Sequence, residues 1–468
     1  MRVLTLDMCG PSRRGREDGQ RPQVKQSAAN ALLKLSQNRK AWTAVVLVFL
    51  FMLINFADKA VIGLASVPIM RDLRLDHRQF GLLGSAFFLL FSASGVVVGF
   101  LANRVRTKTL MLVMSVIWAA ALLPMTVAAN FTVLLASRVV LGAAEGPAFP
   151  VAVHSVYKWF GNQRRALPTS VVASGAAFGT GVVAPLLTWI ILRYGWHAAF
   201  GTLGVAGLIW ALLWLVCAEE GPIDKATSVP TATAATAEAV TSTSVATEMA
   251  GRRVPYRRLL LSRTAIGVFV AGFAAYWIIA LNLVWLANYL IKAVHLPPKQ
   301  AAWVITLPSI MQMALAPLCA YLSLLLTRRG YSSRISRGLL GSLCVVLGGA
   351  SLASVPFAGS GVLEIALVGL SFSIGSVIFT LGTTLIGEIS PPAQRGALLG
   401  ITNSIHTLAG LCAPFLMGLL VDINADPVAG FRMGFVYAGT LVALLGVVAS
   451  ALIDPEADLR NFHLHRTP

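Results

Sequence analysis

Arg138-Val-Val-Leu-Gly-Ala-Ala-Glu145-Gly-Pro-Ala-Phe-Pro150 sets a cation and a carboxylate inside a run that is otherwise apolar and long enough to cross a membrane. At 3.6 residues per turn, a spacing of seven puts both on nearly the same helix face, about 10 Å apart along the axis. An ionisable residue at membrane depth is costly and faces a cavity or a partner. Something polar must therefore pass this helix. Gly146, Pro147 and Pro150 predict a bent, closely approached backbone just beyond the glutamate.

Working outward, the run is one of many. The chain has 468 residues, 56% of them hydrophobic and only 12% charged. Apolar stretches of about 20 residues recur along its whole length, and we count twelve. The expected architecture is an all-α polytopic membrane protein with twelve transmembrane helices in two six-helix repeats. Residues 1–40 read as a disordered basic tail, 41–217 as a first bundle, and 218–262 as a low-complexity linker rich in Thr, Ala and Ser. Residues 263–455 read as a second bundle and 456–468 as a closing tail.

The net charge of +18 invites a nucleic-acid reading, which its distribution opposes. With the N-terminus cytoplasmic, 28 Lys and Arg fall in cytoplasmic segments and 7 on the other side, with Lys59 and Arg138 inside spans. That asymmetry is the positive-inside rule, and it predicts that both termini are cytoplasmic. The partner of the basic surface is the lipid bilayer rather than nucleic acid. Five cysteines stand without close spacing, and the histidines form no ligand cluster. Neither a disulfide framework nor a metal site is expected. No nucleophile–base pair appears, so an enzyme is not expected.

Other charges and polar groups sharpen the picture. Asn55-Phe-Ala-Asp58-Lys59 lies in the first span, near its outer end. Adjacent residues point about 100° apart on a helix, so Asp58 and Lys59 need not pair with each other. Gly175, Gly179 and Gly181 suit close helix contact in the fifth span. Gln163-Arg-Arg-Ala-Leu167 and Gly181-Val-Val-Ala-Pro185 return as Gln394-Arg-Gly-Ala-Leu398 and Gly410-Leu-Cys-Ala-Pro414, at offsets of 231 and 229 residues. Two echoes in the same order point to parallel repeats with a binding site between them. The second half carries no charge deep in its spans. Its interior polar residues include Tyr276, Asn282, Asn403 and His406, with Trp285 beside them on the seventh span. Ionisable chemistry in the first half and neutral contacts in the second is the expected division of labour.

Twelve spans in two repeats with this linker resemble the major facilitator superfamily. Gly99-Phe-Leu-Ala-Asn103-Arg104 is similar to that superfamily's loop between helices 2 and 3, with Asn103 at a usual aspartate. The resemblance gives Asn103 and Arg104 a gating role. Arg138-x-x-x-Gly-x-x-Glu145-Gly-Pro-x-Phe-Pro and Asn55-Phe-Ala-Asp58-Lys59 resemble signatures of the anion:cation symporter branch. That resemblance implies proton coupling at Asp58 and Glu145, a switching pair of Arg138 with Glu145, and substrate attraction at Lys59. It also implies a substrate contact at Asn403. Phe56 and Phe91 stand where relatives often have tyrosine, and Ala176 where sugar-acid permeases have glutamine. Fewer hydroxyls favour a less hydroxylated anion, such as an aromatic or short carboxylic acid. Phe56, Phe91, Trp285 and Tyr276 complete the expected substrate site.

The expected function is proton-coupled uptake of a small organic anion by alternating access. No cofactor is implied beyond the proton gradient. A monomer in a bacterial-type inner membrane is expected. A proton-coupled exporter is the nearest alternative, although the exporter run Gly-Pro-x-x-Gly-Gly is missing after Pro185. A non-transporting anion sensor is a further one.

Overall fold

The computed structural model describes residues 20–101, 105–127, 130–160, 166–222, 254–359, 361–391 and 394–464. Asn103, Arg104 and most of the 218–262 linker lie outside these residues. Twelve described helices are long and apolar enough to span a membrane. They are α1 (Gln37–Leu64), α2 (His77–Val98), α3 (Thr107–Val127), α4 (Phe131–Tyr157), α5 (Leu167–Tyr194) and α6 (Trp196–Cys217). The second six are α7 (Arg263–Lys292), α8 (Pro298–Arg328), α9 (Arg334–Phe357), α10 (Val362–Ile389), α11 (Arg395–Asp422) and α12 (Pro427–Leu452). In hydrocarbon only an internally bonded backbone is viable, which is why every span is helical. One expectation is corrected: the helix that carries α1 already begins at Gln20, so residues 20–40, expected to belong to a disordered tail, are helical. Ala, Leu and Lys between residues 25 and 36 are good helix formers and nothing there breaks the helix.

Several helix starts carry side-chain caps. Asp76 and Gln79 form a reciprocal capping box at α2: Gln79 N–H donates to Asp76 Oδ1 at 2.6 Å, and Asp76 N–H to Gln79 Oε1 at 3.1 Å. The Asn130 side chain caps α4 by accepting from Val133 N–H at 2.9 Å. Asp426 does the same for α12.

Glycine sets how closely the helices approach. A Cβ on Gly142 or Gly146 of α4 would stand within 2.0 Å of the Phe87 or Phe91 carbonyl oxygen of α2. The two backbones therefore touch, and the α2 phenylalanines are carried to the level of Glu145. The α4 helix breaks at Gly146–Pro147, between segments ending at Glu145 and starting at Ala148. Gly179 of α5 packs against the Leu53 carbonyl of α1.

The two halves meet along α2 with α11, α1 with α7, and α5 with α8. On the face bearing Arg71, His77 and Asp422 they are pressed together. The Cβ positions of Gly63, Gly81 and Gly418 fall within 2.4 Å of backbone oxygens of the opposite half. Toward the other face the second half opens. Gly396 and Gly400 of α11 have no atom of the described residues within 4 Å of their Cβ positions. Thr380, Thr383 and Thr384 of α10 and Asn403 of α11 are exposed there.

Candidate functional site

Asp58, Lys59, Arg138 and Glu145 converge inside the first bundle, and all four are buried. Lys59 Nζ stands 2.8 Å from Glu145 Oε2. It also donates to Asn55 Oδ1, one turn earlier on α1. The expected Arg138–Glu145 pairing is therefore corrected: in this state the glutamate's close partner is Lys59. Seven residues along one helix leave Arg138 and Glu145 too far apart for a tight pair, whereas α1 passes beside α4 at the height of Glu145. Arg138 Nε and Nη2 and both carboxylate oxygens of Asp58 have no hydrogen-bond partner among the described residues. Buried charges left in this condition are a cost that a fold tolerates at working sites.

Aromatic rings surround the cations. Lys59 Nζ lies 4.5 Å from the Phe56 ring centroid, 5.4 Å from Phe91 and 5.8 Å from Phe87. The Arg138 guanidinium lies 5.9 Å from Phe87 and 5.8 Å from Phe200. Each such contact contributes about 0.5–2 kcal/mol, the upper end where water is excluded. A void of about 10 Å³ touches Lys59, Phe87 and Arg138, the room of roughly one water.

From Lys59 the rings continue into the second half. Phe91 packs on Phe88 at 5.8 Å, Phe88 on Tyr276 at 5.8 Å, Tyr276 on Phe379 at 6.3 Å, and Phe379 on His406 at 5.6 Å. The His406 imidazole lies against Gly272, with Nε2 at 3.2 Å from the Val268 carbonyl oxygen. Tyr276 thus faces the charged cluster across the midline. Asn403 stands apart, exposed on α11 toward the open face.

Trp285 is corrected. It is fully buried at the seam between halves, where its indole N–H donates to the Pro414 carbonyl at 2.9 Å. It packs against Phe80, Phe431 and His77, so it braces the closed face and does not line the site. Asn55, Phe87, Phe88 and Phe200 were not among the expected site residues. Asn55 belonged to a recognised motif. The three phenylalanines lie in apolar helices, where one more ring gives no contrast.

Two halves closed together on one face and open on the other, with a buried charge cluster in the first of them, define the class: a membrane transporter. A family model described as Major Facilitator Superfamily matches residues 47–286 and 264–466. The chain belongs to that superfamily. The probable galactarate/D-glucarate transporter GudP of Bacillus subtilis is 26% identical over 416 residues, 86% of this chain and 90% of the relative. The probable sulfoacetate transporter SauU of Cupriavidus necator is 28% identical over 86% of this chain and 91% of its own. Such relatives agree with the anion:cation symporter branch that the motifs resemble. Among solved structures, a bacterial homologue of the human lysosomal transporter Spinster, inward-facing and unoccupied, superposes with a TM-score of 0.69 at 17% identity, over 90% of this chain and 98% of its own. The protein is a multi-pass integral protein of a bacterial-type inner membrane, and a transporter rather than an enzyme.

Proposed function

We propose that the protein takes up a small organic carboxylate together with protons, with both termini cytoplasmic, so that the closed Arg71–His77–Asp422 face is external. The observation that carries this reading is the charge balance of the buried cluster. Two cations, Lys59 and Arg138, stand with two carboxylates, Asp58 and Glu145, and the fully ionised set is neutral. An anion arriving alone would leave a net negative charge in a low-dielectric site. A proton arriving with it restores neutrality.

The geometry supports an order of events. Glu145 occupies Lys59, the same ammonium that a substrate carboxylate needs. Protonation of Glu145 weakens that contact and frees Lys59 to bind the anion. Loss of the proton on the cytoplasmic side re-forms the Lys59–Glu145 pair and expels the substrate. Arg138, without a hydrogen-bonding partner at Nε and Nη2 among the described residues, is free to follow either carboxylate. The phenylalanines around Lys59 favour an apolar or aromatic body on the substrate over a hydroxyl-rich one. The relatives named for galactarate, D-glucarate and sulfoacetate support anion transport in general.

The test uses proteoliposomes with an acidic exterior and benzoate, sulfoacetate and D-galactonate as probes. Accumulation that collapses when the pH gradient is dissipated is expected for at least one probe. Lys59→Ala should abolish it. Glu145→Gln should retain exchange across the membrane and lose gradient-driven accumulation. Full accumulation by Glu145→Gln would remove Glu145 from the coupling mechanism.

A further inference from the structure

On the closed face a crevice of about 310 Å³ lies between the end of α1, the segment that follows it, α5, α7 and α8. Its walls are apolar, with Leu64, Val67, Ile191, Ile291 and Ile305 among them, and Arg71 lines it as well. Arg193, Lys292 and Lys299 each follow a lining residue directly in sequence, and all three are exposed. Asp72 opposes them, pairing with Arg71 at 3.0 Å and accepting from the Trp196 indole N–H at 3.1 Å. An apolar slot with one arginine in its lining and three more exposed cations one residue from that lining in sequence attracts an anion with an apolar body, and the low-dielectric walls focus the field.

Two small voids lie inward of the crevice, each separated from the next by side chains that line both. A void of about 20 Å³ bordered by Thr180, Asn282 and Ser309 shares Leu64, Ala287 and Ile305 with it. That void in turn shares Leu283 with the void beside Lys59 and Arg138. The three spaces follow one another along α1 and α7, from the Arg71 rim to the central ammonium.

We infer that the crevice is a second binding site, a vestibule that holds an amphipathic organic anion before the closed face opens and passes it to Lys59. This rests on the uptake reading above. It assigns to Arg71 a role in capture that is separate from the central site, and it makes the α5–α8 side of the molecule the route of entry.

The test reads the crevice without requiring turnover. Val67→Cys and, separately, Ile291→Cys are made in a chain whose five native cysteines are replaced by serine. Each variant reacts with anionic 2-sulfonatoethyl methanethiosulfonate and with its cationic trimethylammonium analogue. The rate ratio, normalised to a small free thiol, should favour the anionic reagent by about tenfold at low salt. High salt and Arg71→Gln should each reduce that preference. Benzoate or sulfoacetate in excess should slow the anionic reaction. A ratio no greater than that of the free thiol overturns the vestibule, as does failure of both probes to protect. Thiols that become reactive only after bound lipid is stripped overturn it in favour of a lipid occupant. If the ratio holds while wild-type protein accumulates none of the carboxylates, the uptake reading fails and the crevice stands.

Discussion

The seams between the halves use one sequence device twice, and the two copies behave differently. Gly181-Val-Val-Ala-Pro185 in α5 meets α8, and Gly410-Leu-Cys-Ala-Pro414 in α11 meets α2. In each copy the proline removes the donor for the carbonyl four residues earlier. On α5 the freed Gly181 carbonyl accepts from Thr306 Oγ1 of α8 at 3.0 Å, and Thr180 Oγ1 meets Ser309 Oγ at 3.1 Å. Beyond these hydroxyls the seam gives way to the crevice. On α11 the Pro414 carbonyl accepts from Trp285, and Phe415 N–H donates to Ser85 Oγ at 3.1 Å. From there the seam stays shut to the surface. Gly418 lets α11 touch the His77 backbone. Asp422 then caps α2 from the other half, accepting from His77 N–H at 3.2 Å, His77 Nδ1 at 2.8 Å and Arg78 N–H at 2.6 Å. Repetition therefore supplies the breakpoints, and the side chains around them decide which seam latches. The difference makes α2–α11 the hydrogen-bonded latch of this face and leaves α5–α8 as the seam that borders the crevice.

The largest way to break this contrast is Gly418→Val. Its Cβ would lie 2.2 Å from the His77 carbonyl oxygen, where only backbone movement can relieve the clash. Spin labels at residues 74 and 425 should report a wider α2–α11 distance, and uptake should fall at least about tenfold, the cost expected of overpacking a tight interface. An unchanged distance distribution would deny that this seam is held by backbone contact.

Asp422→Asn comes next. It removes the charge that accepts three hydrogen bonds at a helix N-terminus and so weakens the latch by about 1–3 kcal/mol. The closed-to-open ratio on this face should drop by roughly 5- to 150-fold, read from the same labels. Thr306→Val is the matched test on the other seam. It leaves the Gly181 carbonyl without its cross-seam donor and costs about 1 kcal/mol. An equal or larger effect of Thr306→Val on closure would abolish the asymmetry.

How far this was legible in the sequence follows from contrast. Twelve spans were legible because hydrocarbon demands some 20 apolar residues per helix. Asp58, Lys59, Arg138 and Glu145 stood out because a charge in such a run is conspicuous. Their pairing was not legible, because Lys59 and Glu145 meet across two helices and nothing in either helix states their relative height. Trp285 was misassigned for a related reason: an aromatic residue on an apolar helix carries no mark of which neighbour it faces. The echoed Gly–Pro segments were legible as repeats, yet their different fates depend on Thr306, Trp285 and Asp422, which lie outside the echo.

The smallest effect belongs to a contact away from both seams, and it serves as their control. Glu220, just past α6, accepts from Thr107 N–H at 3.2 Å, Thr107 Oγ1 at 2.9 Å and Lys108 N–H at 3.2 Å, and pairs with Lys158 Nζ at 2.5 Å. It thereby caps α3 and ties α3, α4 and α6 within one half. Burial raises its proton affinity, but the hydrogen bonds from Lys158, Thr107 and Lys108 outweigh this and hold the carboxyl below its ordinary 4.5. A depressed carboxylate stabilises the fold above the unfolded-state value and loses that contribution as pH falls through the folded one. Glu220→Gln should therefore lower stability by about 1 kcal/mol at pH 7, a cap's worth in a partly exposed site. The gap from wild type should close once the pH drops below 4.5. Thermal unfolding of both proteins across that range measures it. Because Glu220 binds one half to itself, the label distances at the α2–α11 seam should not move. A shift there would mean that the latch draws on packing within the first bundle as well as on Asp422.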